Sequence, residues 1–100
     1  WWYDERFPPT VNSDEETDVA AKAAISICGA ENVNTNVEMV TGSEDFGYML
    51  EEKLGCYAFI GNGPGDGGCL LHSPHFDFND EVIPVGASYW VELVNQVLKK

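Results

Sequence analysis

The run "NGPGDGG", residues 62–68, constrains this chain more than any other feature: four glycines and a proline in seven positions leave room for nothing but a loop. The loop is preceded by "CYAFIGNG", a β-branched and aromatic run suited to a buried strand, and it feeds "LLHSPHFDFND", residues 70–80. In α/β proteins a loop leaving the end of a buried strand is where ligands are held, because the strand fixes the loop at the sheet edge. His72 is therefore a candidate metal ligand, with Asp77 or Asp80 available to accept its second ring N–H and fix the tautomer. The chemistry alone also admits a loop histidine that does no more than cap a turn.

Working outward from that loop, the remaining segments alternate between the two periodicities. "WWYDERF" alternates bulky and charged residues and stops at Pro8–Pro9, so it reads as a strand ending at residue 8. "TVNSDEETDVAAKAAISICGA" offers Asn12 and Ser13 as caps, acids in its first turns and an alanine-rich apolar face closing at Gly29, which predicts a helix over 14–28. "NVEMVT" is a short strand, and "GSEDFGYMLEEKL" brings Phe46, Met49, Leu50 and Leu54 to one side of a helix beginning near Ser43 or Glu44. From Glu81 a last helix buries Val85, Tyr89, Val91, Leu93, Val94 and Leu98, carries Pro84 in its first turn and ends in two lysines. Strand, helix, strand, helix, strand, loop, helix is an α/β order, with helices packed on a mixed sheet.

Composition bounds the partners. Seventeen acidic residues against five basic ones give a net charge of −12, which repels nucleic acid and anionic lipid, and no run is apolar enough for a membrane span. Cys28, Cys56 and Cys69 are odd in number and fit no disulfide framework, so reduced thiols in a cytoplasmic protein are expected, with Cys28 and Cys56 in the core. Cys69, His72 and His75 follow at three-residue steps, but a zinc knuckle needs a second close pair of ligands, and none is present. The chain opens on "WWYDERF" without a methionine and reads as a piece of something longer.

The start of the second helix is the other candidate site. Free N–H groups in a first turn at Gly42 and Ser43, together with the positive end of the dipole, would hold a substrate carboxylate. Glu44 and Asp45 compete for that positive end and read as structural.

Four ordered motifs, "FPPTVNS", "TGSEDFGYML", "YAFIGNG" and "LHSPHFDFNDEVIPVGASYW", make essentially the whole chain resemble the C-terminal part of the metal-dependent amidohydrolases of the aminoacylase and metallo-exopeptidase type, among them hippurate hydrolase and the N-acyl-amino-acid and auxin-conjugate hydrolases. The resemblance implies that residues 1–11 are the last strand of a lid and dimerisation domain and that residues 12–100 are the C-terminal part of the catalytic domain. It implies that His72 is a ligand of a centre of two divalent ions (zinc, manganese, cobalt or nickel), with His75 a rim or packing histidine. The other ligands and the catalytic glutamate of such enzymes come from an N-terminal half, so no catalytic residue is assigned here. The implied substrate is an N-acyl amino acid or small peptide-like amide, and self-association as a homodimer or more is expected from uncovered strand edges. If substrate carboxylate and amide bind at once, Ser43 and His72 must share one sheet edge. The alternative is a non-catalytic binding or association module that keeps the fold.

Overall fold

Helix α1, Asp14–Cys28, forms where acids crowd its first turn and alanines line one face, and it ends at Gly29, whose φ of 82° suits a residue without a Cβ. The structure is a computed structural model that describes residues 1, 2, 6–65 and 67–99. The chain divides into two units, Trp1–Ala58 and Phe59–Lys100.

In the first unit α1 is followed by one 3-10 turn, Ala30–Asn32, and by the short helix α2, Phe46–Glu52. The side chain of Asn32 donates to the carbonyl of Cys28 at 2.8 Å and covers one of the orphan carbonyls at the end of α1. At the other end Ser13 is the N-cap residue, as expected, yet its hydroxyl does not cap. It accepts from the Gly55 N–H at 3.1 Å, while the Ser13 N–H donates to the Gly55 carbonyl at 2.9 Å. Asn12 makes the matching pair with Tyr57, donating to its carbonyl at 2.9 Å and accepting from its N–H at 2.8 Å. One side-chain amide thus does for Tyr57 what a neighbouring peptide does in a sheet. Ala23 is fully buried and Gly47 is packed against Pro8; they are the buried residues of this unit among those described.

In the second unit α3, Val82–Val97, begins where the Asn79 side chain accepts from the Glu81 N–H at 3.1 Å and the Asn79 carbonyl from the Val82 N–H at 3.0 Å. Pro84 sits in its first turn, where a missing N–H costs nothing.

All three expected helices are present, but the mixed sheet is not: among the described residues no segment is a strand. Residues 36–41 and 56–63 have strand composition, and a strand exists only when a second backbone lies beside it. Here Val37, Met39, Val40, Phe59 and Ile60 stay exposed, and Asn12 is the partner that Tyr57 finds. Of the expected strand over residues 1–8, residues 3–5 lie outside the described residues, and the others carry no strand. The expected core is also thinner than its periodicity suggests, since Val85, Val91, Val94 and Leu98 are exposed and Cys28 and Cys56 only half-buried. No helix among the described residues is long and apolar enough to cross a membrane.

Candidate functional site

The histidine segment of the second unit is a closed loop. Its base is the pair Gly67 and Asp77, where the Asp77 N–H donates to the Gly67 carbonyl at 3.3 Å. A Cβ on Gly67 would stand 2.6 Å from the Asp77 Cβ and 2.9 Å from its nitrogen, and Gly67 holds φ at 84°. Only glycine meets both conditions. The glycine-rich run therefore does more than interrupt secondary structure; it lets the two ends of the loop approach.

Inside the loop two turns share Ser73. The Ser73 N–H donates to the Leu70 carbonyl at 3.2 Å, and the Phe76 N–H donates to the Ser73 carbonyl at 3.1 Å, with Pro74 in the position of the second turn that its ring favours. The His75 N–H donates to the Ser73 hydroxyl at 3.2 Å. His72 falls at the third position of the first turn, the place where a type II turn requires φ above zero, and it adopts φ 71°. Among the described residues it is the one non-glycine residue in the left-handed region. An L-residue held there costs about 1–2 kcal/mol, and residues held at such cost concentrate at functional positions. The imidazole is exposed.

The exit of the loop is tied back to the segment before it by two asparagines that composition did not single out. Asn62 donates through its side chain to the Asp77 carbonyl at 2.7 Å and accepts from the Asn79 N–H at 2.8 Å, and the Asn79 amide donates to the Asn62 carbonyl at 3.3 Å. Asn79 also starts α3, so the helix and the histidine loop are fixed by the same side chain. In the sequence Asn62 and Gly63 open the glycine-rich loop; the long-range clamp had no local signature.

The residues present do not by themselves fit a two-metal centre. Among the described residues no group of three or more His, Cys, Asp and Glu side chains converges to hold a metal ion. Cys69, His72 and His75 do not form such a group; the Cys69 thiol is exposed and lies 3.7 Å from the Gly67 carbonyl.

The second expected site, in the first unit, is rearranged. The helix begins at Phe46, not at Ser43 or Glu44, so the Gly42 and Ser43 amides are not its first-turn donors. Glu44 takes that place itself: its carboxylate accepts from the Phe46 N–H at 3.1 Å and from the Tyr57 hydroxyl at 3.1 Å. The bond to Glu44, then burial and the nearby negative charge, pushes the Tyr57 hydroxyl above its ordinary pKa of 10.0. Phe46 and Tyr57 also meet as rings, at 5.4 Å between centroids. Glu44 is thus structural, while Gly42 and Ser43 are exposed, and the space around Gly42 is open, with no atom within 4 Å of an added Cβ.

The sequence pattern of the peptidase family M20/M25/M40 matches residues 1–96. Hippurate hydrolase of Campylobacter jejuni is 36% identical over 92 residues, which cover 92% of this chain and 23% of that protein. An IAA-amino acid hydrolase of Arabidopsis thaliana is 31% identical over 92% of this chain and 21% of its own length, and thermostable carboxypeptidase 1 of Saccharolobus solfataricus is 35% identical over 81% and 20%. The chain thus spans about a fifth to a quarter of the length of these relatives. No solved structure matches it.

Proposed function

The chain belongs to the peptidase family M20/M25/M40, and from that membership we propose that it serves a metal-dependent amidohydrolase that cleaves the amide bond of N-acyl amino acids or small peptide-like substrates. The observation that carries the reading is the match over residues 1–96 together with relatives whose names describe hydrolysis of hippurate and of IAA-amino acid conjugates. The left-handed backbone at His72 supports the choice of that residue, since residues held in sparsely populated backbone regions concentrate at functional sites.

In this reading His72 would hold a divalent ion, zinc, manganese, cobalt or nickel, together with donors other than a cluster of the described residues, among which no group of three or more His, Cys, Asp and Glu converges. When bound, such ions supply an activated water. What the chain's own residues do is narrower. Gly67, Asn62 and Asn79 fix the loop that presents the imidazole, and Gly42 and Ser43 offer exposed backbone and open space to the substrate. The segments 36–41 and 56–63 become strands of the mixed sheet once a second backbone lies beside them. A second reading, a non-catalytic binding or association module, draws on the fact that among the described residues no group of three or more metal donors converges.

The test is metal analysis and hydrolysis of N-benzoyl- and N-acetyl-amino acids by the native polypeptide that carries this sequence. His72→Ala is expected to lower metal content and to reduce kcat/KM by at least about 100-fold, and His75→Ala to leave metal content intact. Hydrolysis that survives His72→Ala undiminished would remove His72 from the site, and no hydrolysis of any such amide by the wild type would favour the binding module.

A further inference from the structure

Of the chain's asparagines, Asn62 alone is followed by glycine. In such a pair the following backbone nitrogen can reach the side-chain amide carbon with no side chain of its own in the way. Gly63 is exposed, and among the described residues no hydrogen bond uses its N–H, so the nucleophile is free. The amide it would attack is held. Its nitrogen donates to the Asp77 carbonyl at 2.7 Å, and its oxygen accepts from the Asn79 N–H at 2.8 Å. These two bonds fix the side-chain torsion that an attack must change, and the nitrogen bound to Asp77 is the group that must leave.

We propose that Asn62 is a self-modification site whose reaction releases the histidine loop. When the clamp opens, the Gly63 nitrogen attacks the Asn62 Cγ, and the amide nitrogen leaves as ammonia with the Gly63 proton. The product is a cyclic succinimide. One water then opens the ring, giving aspartate when it breaks the bond from Cγ to the Gly63 nitrogen and isoaspartate when it breaks the bond from the main-chain carbonyl carbon. Both reacting groups lie on adjacent residues, so the reaction needs one water and no partner. The product cannot rebuild the clamp: an ionised aspartate still accepts from Asn79 but has no proton for the Asp77 carbonyl, and in isoaspartate the main chain runs through the former side chain. The new charge also enters a polar hollow already lined by Asp77, Asp80 and Glu81, in a chain of net charge −12. Asp77 is the residue on which the loop closes against Gly67, so the change falls at the base of the segment that carries His72. Loss of metal with age follows only if His72 is a ligand; the modification and the release do not rest on that reading.

The test is incubation of the native polypeptide that carries this sequence at neutral pH, with peptide mapping by mass spectrometry and isoaspartate detected by enzymatic methyl labelling. Asn62 is expected to convert before any other asparagine, yet at least about tenfold more slowly than in the chain unfolded by denaturant, because reaction requires the hydrogen-bonded clamp to open. Gly67→Ala, whose Cβ would stand 2.6 Å from the Asp77 Cβ, should move the rate toward the unfolded value while circular dichroism shows the helices kept. Hydrogen exchange reads the release without any metal: in Asn62→Asp and in the aged protein the Asp77 N–H should exchange at least about tenfold faster, with the interior amides of α3 unchanged. An Asn62 that stays intact in the folded protein, or another asparagine that converts first, overturns the site. Equal rates folded and unfolded overturn the control by the clamp, and an unmoved Asp77 N–H in the aged protein overturns the release.

Discussion

At residue 72 the chain keeps an imidazole in a backbone conformation that side chains resist, and the cost can be measured apart from any metal. His72→Gly and His72→Ala both remove the imidazole, but only glycine accepts φ 71° freely. The left-handed penalty of about 1–2 kcal/mol on alanine outweighs the roughly 0.4–1 kcal/mol that glycine loses through its freer unfolded chain. Denaturant unfolding should therefore find the glycine variant more stable than the alanine variant by roughly 0.5–1 kcal/mol; the reverse order would show that the turn at Leu70–Ser73 does not hold that geometry. Tyr57 offers a second measurement at this scale. Its folded pKa is raised, so the stability it contributes is fully present below pH 10.0 and is lost as pH rises through the higher folded value. Absorbance of the phenolate, taken as the difference between wild type and Tyr57→Phe, should give a midpoint above 10.0 that falls toward 10.0 in the Glu44→Gln background. An unmoved midpoint would mean that Glu44 is not its cause.

The elements show which signals are local. Helix α1 begins and ends as its acids, alanines and Gly29 dictate, and α3 starts beside Asn79 with Pro84 in its first turn, because helical periodicity and capping act within a few residues. Strands need a partner from elsewhere in the chain, so alternation at 36–41 and 56–63 could be read while pairing could not. The same split runs through the site: the glycine run and the histidine were legible as residue types, whereas the left-handed φ of His72, the Asn62 clamp and the displacement of the α2 start by Glu44 depend on contacts that no local pattern encodes. Gly47 puts this contrast to a test. Propensity alone says that Gly47→Ala in α2 stabilises by up to about 1 kcal/mol. The new Cβ, however, would lie 2.7 Å from the Pro8 carbonyl oxygen, a backbone atom that cannot swing aside. The clash should win and destabilise the first unit by about 1–3 kcal/mol. A rise in thermal midpoint would mean that Pro8 yields.

On the scale of the whole molecule, apolar exposure and charge pull in opposite directions. Met39 in the first unit and Leu70, Trp90 and Leu98 in the second are among the apolar side chains left in water. Surface of that kind favours association. Against it stands a net charge of −12 on each copy. At a separation of roughly 30 Å two such charges repel by about 20 kcal/mol in unscreened water, and a Debye length of about 10 Å at 0.1 M salt reduces this to about 1 kcal/mol. The attractions available between acidic and basic side chains of two copies are exposed ion pairs, each contributing about 0.2–1 kcal/mol and screened in the same way. The repulsion acts between all the charges and the attraction between a few, and apolar burial does not weaken with salt. Raising the ionic strength from 0.1 to 0.5 M should therefore tighten self-association several-fold, read as a falling dissociation constant in sedimentation equilibrium. Sulfate should act more strongly than chloride at equal ionic strength, because it also strengthens apolar burial. Association that loosens with salt would show that ion pairs, and not the exposed apolar side chains, hold the copies together.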